Sequence, residues 1–319
     1  MRGSRSAPLL RRRVDGVLLL DKPVGLSSNA ALQQAKRRFR AEKAGHTGTL
    51  DPLASGLLPI CFGEATKFAH MLLDADKTYV ALVRLGTTTT TGDAEGEVLQ
   101  TRNVTVSRQD VEAVLPRFIG RIMQIPPRYA ALKYRGRNYY EYAREGIEIP
   151  RPGREVVIHS MTLDACTAPD LSLTIRCGKG TYVRVLAEDI GLALGCGAHL
   201  AALRRLETSG LRLSASCTLE TLAGLSDDEC DARLLPPDTL VAALRRIDLE
   251  PVEALRFAQG QAVARTGLPD ATYRVYTAEG FAGIAVAIEG TVRPRRLTAG
   301  ASSSAASEGK RAAIESLES

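Results

Sequence analysis

With 319 residues, the chain is long enough for about two domains and a sizeable core. Its 45% hydrophobic and 24% charged content excludes wholesale disorder, and no run approaches the roughly 20 apolar residues of a membrane helix. A surplus of 42 Lys and Arg over 36 Asp and Glu gives a formal charge of +6, a moderate excess that fits a polyanionic partner.

Residues 1–14 contain Arg2, Arg5, Arg11, Arg12 and Arg13 and no acid, and read as a solvated basic tail. The segment is short and not clearly amphipathic, which argues against an organelle transit peptide; a cytoplasmic location is expected. Val17–Leu20 is a β-like run, Lys22-Pro23-Val24-Gly25 a turn, and Ser27 or Ser28 a helix cap. The helix predicted over Asn29–Arg40 puts Leu32, Ala35 and Phe39 on one face. Lys36, Arg37, Arg38 and Arg40 cover much of the rest. Such a run is ordinarily a solvated face, but beside an RNA site it would bind phosphates.

Lys77–Leu85 alternates as a strand, with Tyr79, Ala81, Val83 and Leu85 on one side. Thr87–Gly92 is a threonine-rich polar turn region ending at Asp93. Val106–Phe118 reads as a helix capped by Ser107 or Thr105. Leu171, Leu173, Ile175 and Cys177 form a second alternating face, and Gly178-Lys179-Gly180 turns into a helix over Thr181–Leu194. Leu200, Leu203 and Leu206 recur at helical spacing. The order lacks a βαβ rhythm, so the class is α+β. After Leu249 the composition shifts to an Ala/Gly-rich stretch and then short β-like runs in Tyr273–Val292, the pattern of a small all-β module. The expected organisation is a basic tail over 1–14, a main domain over 15–249, a small domain over 250–298 and a disordered tail over 299–319. A frayed helix at Lys310–Leu317 is the one ordered element expected there.

Six cysteines without CxxC spacing read as reduced buried thiols. The four histidines match no zinc pattern, and there is neither a Walker loop nor GxGxxG, so no cofactor and no metal are expected.

The most informative stretch is Gly45-His46-Thr47-Gly48-Thr49-Leu50-Asp51-Pro52-Leu53-Ala54-Ser55-Gly56-Leu57-Leu58-Pro59, whose glycines and prolines imply a tightly specified loop. Alone, Leu-Asp-Pro has a plain structural role. Pro52 keeps Asp51 extended and can open a helix, which makes Asp51 an N-cap. Further segments follow in order: Gly16-Val-Leu-Leu-Leu-Asp21-Lys22-Pro23, Asp76-Lys77-Thr78-Tyr79, Gln124-Ile-Pro-Pro127 with Ala131-Leu132-Lys133, Gly180-Thr-Tyr-Val-Arg184, Gly197-Ala-His-Leu200 with Leu203-Arg204-Arg205, and Gly290-Thr-Val-Arg-Pro-Arg-Arg296.

Together, over roughly Asp15–Leu297, these segments resemble the bacterial TruB-type tRNA pseudouridine synthases, with a PUA-like RNA-binding module at the C-terminal end. The resemblance implies a mixed, largely antiparallel catalytic sheet and isomerisation of uridine-55 in the tRNA T loop to pseudouridine. The target base must be flipped out before chemistry. Asp51 matches the family nucleophile, attacking C1′ or C6; the sequence leaves both routes open. Arg184 matches the arginine that pairs with it, although Arg184 and Glu188 are also spaced for a surface ion pair. Tyr79 matches the tyrosine that packs on the base and is a candidate general base; its plain role is strand core. His46 matches the histidine that helps fill the vacated stack. Tyr182 and Leu203 match residues contacting the flipped nucleotide, and Lys22, Asp93 and Lys133 match recurrent positions near the site. Thr49 stands where some relatives have alanine.

The implied partner is tRNA, held at its T loop, T arm and acceptor stem, with no obligate protein partner, no membrane and a monomeric state. Basic and aromatic residues interleave over Arg128–Arg144, a disordered or hinged loop expected to close over the RNA. Other readings are a non-catalytic RNA chaperone, a glycosylase, and a guide-dependent rRNA pseudouridine synthase. The Gln124–Gly146 segment looks like that of the stand-alone bacterial type.

Overall fold

The structure is a computed structural model that describes residues 10–299. The expected frayed helix at Lys310–Leu317, nearly all of the C-terminal tail, and Arg2 and Arg5 of the basic tail lie outside the described residues.

A nine-stranded mixed sheet forms the main body. Its strands run in the order Gly16–Lys22, Ala54–Phe62, Ala198–Thr208, Lys77–Leu85, Asp170–Cys177, Arg154–Thr167 and Gly120–Gln124. Ala44–His46 pairs with Ala54–Phe62, and Leu211–Arg212 with Ala198–Thr208. Every pairing is antiparallel except that of Ala54–Phe62 with Ala198–Thr208. Ala54–Phe62 is buried along its whole length, which explains its unbroken small and apolar sequence. Leu58, Ile60 and Phe62 pack with Leu32, Ala35 and Phe39 of the helix Ser28–Arg38. Leu57 and Cys61 pack with Leu240, Val241 and Ile284. A third cluster joins the helix Val183–Ala193, through Leu186 and Ile190, to Ala81, Val83, Leu171, Leu173 and Ile175.

At Gly56 a side chain is impossible. Its φ is +99°, and a Cβ there would lie 2.3 Å from the carbonyl oxygen of Arg205. This glycine lets the strands carrying Ala54 and Leu203 approach at the register that places them side by side.

The second sheet has five strands, in the order Arg245–Asp248, Ala271–Thr277, Gly280–Ile288, Thr291–Leu297 and Val263–Ala264. It begins at Arg245, ahead of the composition shift after Leu249. It is not purely β, since the helix Pro251–Ala258 buries Phe257 against it. Proline at the helix start and the mutual Glu250–Glu253 capping box define that helix. The hairpin Gly280–Leu297 turns at Glu289-Gly290, both at positive φ, as a two-residue turn of right-handed strands requires. This sheet rests on the main body through Phe281 and Phe68, whose ring centroids are 5.2 Å apart.

Four sequence expectations are corrected. Leu200, Leu203 and Leu206 lie on the strand Ala198–Thr208, not on a helix; three leucines at spacing three fit a helix, but sheet pairing on both edges decides otherwise. Asp51 caps no helix: Pro52 and Leu53 form a turn that leads directly into Ala54–Phe62. The threonine region is partly strand, with Thr87–Thr89 paired to Val98–Thr101, as β-branched side chains favour. The Arg128–Arg144 segment is a folded unit. It comprises a short hairpin (Lys133–Tyr134 with Arg137–Asn138) and the helix Tyr139–Arg144, with Tyr139 buried. The interleaved residues stack on one another: Arg137 lies 4.7 Å over Tyr142, Arg144 5.4 Å over Tyr140, and Tyr134 packs edge-on against Tyr142. Among the described residues no helix is long and apolar enough to cross a membrane.

Candidate active site

The loop before Ala54–Phe62 is fixed from beneath. Ser28, buried at the start of its helix, donates through Oγ to the carbonyl of Leu50 (2.9 Å) and accepts from the Leu50 amide (2.7 Å). The Gly25 amide holds the carbonyl of Pro52 (2.8 Å), and the Ala54 amide that of Asp51 (3.1 Å). Leu50 and Pro52 are thus tied on either side of Asp51, whose side chain stays 47% exposed at the mouth of a cleft of about 250 Å³.

Arg184 meets Asp51 there. It occupies the first turn of Val183–Ala193, and its side chain is only 8% exposed. Nη2 lies 3.1 Å from Oδ2 of Asp51 and donates to the carbonyl of Tyr129 (2.9 Å). Nη1 lies 3.4 Å from Oδ2 of Asp93 and donates to the carbonyl of Thr91 (3.3 Å). The alternative surface pair of Arg184 with Glu188 is therefore not formed; Arg184 turns inward, and burial, then the charge of Asp189, pushes the Glu188 carboxyl up. A buried guanidinium needs this full set of partners, because an unpaired charge there would be strongly destabilising.

The threonine run has a role at this point. Thr91 Oγ1 donates to Oδ1 of Asp93 (2.5 Å), Thr89 Oγ1 donates to the Asp93 carbonyl (2.7 Å), and Thr90 Oγ1 accepts from the Glu97 amide (3.1 Å). With the Glu95 amide on Oδ1 (3.1 Å), the Thr89 and Thr91 hydroxyls build a socket for Asp93, which is 3% exposed. Asp93 in turn fixes Arg184.

Tyr79, Tyr182 and Leu203 line the cleft with Asp51 and Arg184. Burial pushes the Tyr79 hydroxyl up from its ordinary pKa, opposed by the positive charge of Arg205. Tyr182 precedes the helix; its amide donates to Oε1 of the buried Gln124 (3.0 Å) and its carbonyl accepts from Nε2 (3.3 Å). Burial raises its hydroxyl pKa too.

The other sequence candidates stand around the cleft rather than in it. Asp93 lies behind Arg184. His46 ends the short strand Ala44–His46, opposite Ile60, with Nδ1 buried and without a partner among the described residues. Burial, then Arg205, lowers its pKa and keeps the ring neutral. Lys22 is fully buried beneath the loop, its Nζ donating to the carbonyls of Pro23 (2.8 Å) and Leu26 (2.6 Å). Burial lowers its pKa to about 8. Lys133 is exposed on the hairpin and does not reach the cleft.

Two basic lining residues lie in the matched segments but carry no site role in the sequence analysis. Arg205, 1% exposed, faces Tyr79 across the paired strands and donates through Nε to the carbonyl of Leu57 (2.7 Å). Lys77 donates to the carbonyls of Leu72, Leu73 and Ala75 at 3.2, 2.8 and 2.6 Å, and burial lowers its pKa to about 8. Strand alternation carries the signal for Arg205, because residues two apart share a face with Leu203; a helical reading of that segment hides it.

Three family models tile the chain. Residues 36–183 match the TruB family pseudouridylate synthase (N terminal domain), 184–255 the tRNA pseudouridylate synthase B C-terminal domain, and 246–298 the Pseudouridine synthase II TruB, C-terminal domain. The chain is also 54% identical over 297 residues to tRNA pseudouridine synthase B of Burkholderia mallei (strain NCTC 10247), covering 91% of this chain and 98% of that protein. The chain belongs to the TruB family of pseudouridylate synthases. Tiling by the TruB models and the relative's length together extend the family across both sheets. A second relative, tRNA pseudouridine synthase B of Methylobacillus flagellatus, is 52% identical over 291 residues, covering 90% of this chain and 96% of that one. Among solved structures, a chain of a Cbf5-Nop10-Gar1 complex superposes with a TM-score of 0.69 at 24% identity, covering 88% of this chain and 84% of that chain. That likeness lies in the fold.

Proposed function

We propose that this TruB-family chain isomerises uridine-55 of the tRNA T loop to pseudouridine, with Asp51 as nucleophile. The observation that supports this best is the Asp51 carboxylate, 47% exposed at the cleft mouth and 3.1 Å from the buried guanidinium of Arg184. A nucleophilic carboxylate must be open to the sugar or base and held in place; the partly exposed Asp51 meets these needs together with Arg184.

The flipped base enters between Tyr79, Tyr182 and Leu203. Asp51 attacks C1′ and displaces N1, or adds to C6 before the bond from C1′ to N1 breaks. The uracil turns within the cleft, C5 joins C1′, and the bond to Asp51 breaks, which returns the free carboxylate. The proton on C5 leaves to a base, for which Tyr79 is the candidate, and N1 takes up a proton, so the proton count is unchanged. The raised pKa of Tyr79 means that a neighbouring cation must assist, and Arg205 is the group placed to do so. No atom is gained or lost and no redox step occurs, so the reaction calls for no cofactor. His46, neutral and beside the loop, suits packing in the vacated stack. The arm carrying Tyr129 and Lys133 closes over the T loop as a folded unit, and the PUA-like module holds the acceptor stem.

The hydrolytic alternative is weaker. It needs a second carboxylate facing a water molecule, and Asp93 is buried with both oxygens already engaged. The test is nucleoside mass spectrometry after incubating unmodified tRNA with the protein and with Asp51→Asn. Pseudouridine in the T loop from the unsubstituted protein only is the expected result. Free uracil, or equal product from both proteins, would overturn the reading.

A further inference from the structure

The run Lys36, Arg37, Arg38, Arg40 divides into two sets. Arg38 docks its helix against the following helices: Nε donates to the Leu222 carbonyl (2.8 Å), Nη1 pairs with Asp227 (2.8 Å), and Nη2 bonds to the Leu225 carbonyl. Arg40 also pairs with Asp227, and Arg12 with Asp231 at 2.5 Å. These three cations are paired, Arg38 and Arg40 sharing Asp227, and hold the fold together. Lys36, Arg37 and Arg11 form no ion pair or side-chain hydrogen bond among the described residues.

These unpaired cations converge. The N-terminal segment lies along the end of the helix through the Arg12 amide on the Arg40 carbonyl (2.8 Å) and the Glu42 amide on the Arg12 carbonyl (3.2 Å). Arg12 faces inward to Asp231, so its neighbour Arg11 is left on the outer side, exposed. Arg11, Lys36 and Arg37, with Gln33, Arg40 and Ala41, line an open groove of about 310 Å³ that contains no acidic residue. The helix dipole accounts for cations in the last turn, but not for a separate segment bringing another to the same groove.

We infer that this groove is a binding site for the phosphate backbone of the substrate RNA, separate from the catalytic cleft. The inference rests on the proposed RNA-modifying function. Lys36 is two turns along the helix from Ser28, the residue that clamps the catalytic loop, so a helical rise of about 1.5 Å per residue puts the groove ~12 Å away along the axis. A polynucleotide held at Asp51 can reach both.

The test is tRNA affinity and turnover for Arg11→Gln/Lys36→Gln/Arg37→Gln at several salt concentrations. All three residues lie outside the catalytic machinery, and a matching melting temperature confirms the fold. Each lost phosphate contact reduces the slope of log affinity against log salt by about 0.7–0.9, so a change of ~2–3 is expected for the triple variant. Affinity near physiological salt should fall on the order of tenfold or more, with kcat at saturating tRNA unchanged. An unchanged affinity and slope would overturn the inference and leave the groove to an acidic protein partner or to solvent. A weaker affinity with an unchanged slope would overturn it as well, because phosphate contacts must carry salt dependence. Failure of the function itself reads differently: the unsubstituted protein would then make no pseudouridine.

Discussion

Replacing Ser28 with alanine removes one hydroxyl and strands two buried backbone groups. Ser28 Oγ is the hydrogen-bond partner of both the amide and the carbonyl of Leu50, at 2.7 and 2.9 Å. Each buried group left unpaired costs about 1–3 kcal/mol. The cleft beside the loop is open, so water can rescue part of this, and a loss of about 2–3 kcal/mol is expected. The helix start is unaffected, since Ser27 is the cap and accepts from the Ala30 amide (3.1 Å). Alanine is also favourable at the first helical position. A body of this size should melt roughly 5–10 °C lower. The chemical consequence follows from position: Leu50 immediately precedes Asp51, and a carboxylate displaced by about 1 Å can lose on the order of 100-fold in rate. Urea or thermal melts measure the first effect. Single-turnover conversion at saturating tRNA measures the second. If stability falls as expected but the rate stays within twofold, the clamp does not position Asp51, and the bonds at Pro52 and Arg184 suffice.

Arg184→Lys keeps a positive charge but loses the fork that spans Asp51, Asp93 and two carbonyls. A rate loss of at least about 100-fold with little change in tRNA affinity is expected, and a loss under threefold would show that charge alone is enough. Lys22→Met tests buried charge. The folded-state pKa of Lys22 is about 8 against an ordinary 10.5, so between those values the unfolded chain binds more protons and stability rises with pH. Below pH 8 the charge penalty is present in full, at most about 3 kcal/mol. The substitution should flatten the stability profile between pH 8 and 10.5, read from urea midpoints; an unchanged profile would place the titration elsewhere. Phe281→Ala removes the ring packed on Phe68 and should cost about 2 kcal/mol. A second unfolding transition in calorimetry would show that the two sheets had uncoupled.

What was legible in the sequence follows from how local each determinant is. The strands Lys77–Leu85 and Asp170–Cys177 alternate because one face meets the core, and that pattern survives in sequence. The Asp51 loop is readable as a motif, since its glycines and prolines lie side by side. Ala198–Thr208 reads as a helix because its leucines fit one, and only pairing with two distant strands makes it sheet. The partner of Arg184 is non-local too: helical spacing offers Glu188, whereas the tertiary fold delivers Asp51 and Asp93. The threonine run is opaque for the same reason. Its hydroxyls hold Asp93, and the importance of Asp93 is seen only once Arg184 sits against it.

The cleft carries more positive charge than its own acids neutralise, and this leads to a last prediction. Lys77, Arg184 and Arg205 line it, with Asp51 as the one acid among the lining residues. Lys77 is stabilised by three backbone carbonyls rather than by a carboxylate, and burial lowers its pKa to about 8. Its ammonium is mostly charged at pH 7 and mostly neutral at pH 9. Phosphates of a bound RNA favour the charged form, so the complex has the higher lysine pKa. Binding must therefore take up a proton above pH 8, and affinity falls as pH rises through that range. A single coupled lysine limits the loss to tenfold per pH unit, and the proximity of solvent at the cleft mouth places it at roughly three- to tenfold between pH 7 and 9. Lys77→Met should bind more weakly at pH 7 and lose this component of the pH dependence. Parallel affinity profiles for the two proteins, measured at constant ionic strength, would mean that the Lys77 charge is spent wholly on the carbonyls of Leu72, Leu73 and Ala75 and contributes nothing to holding RNA.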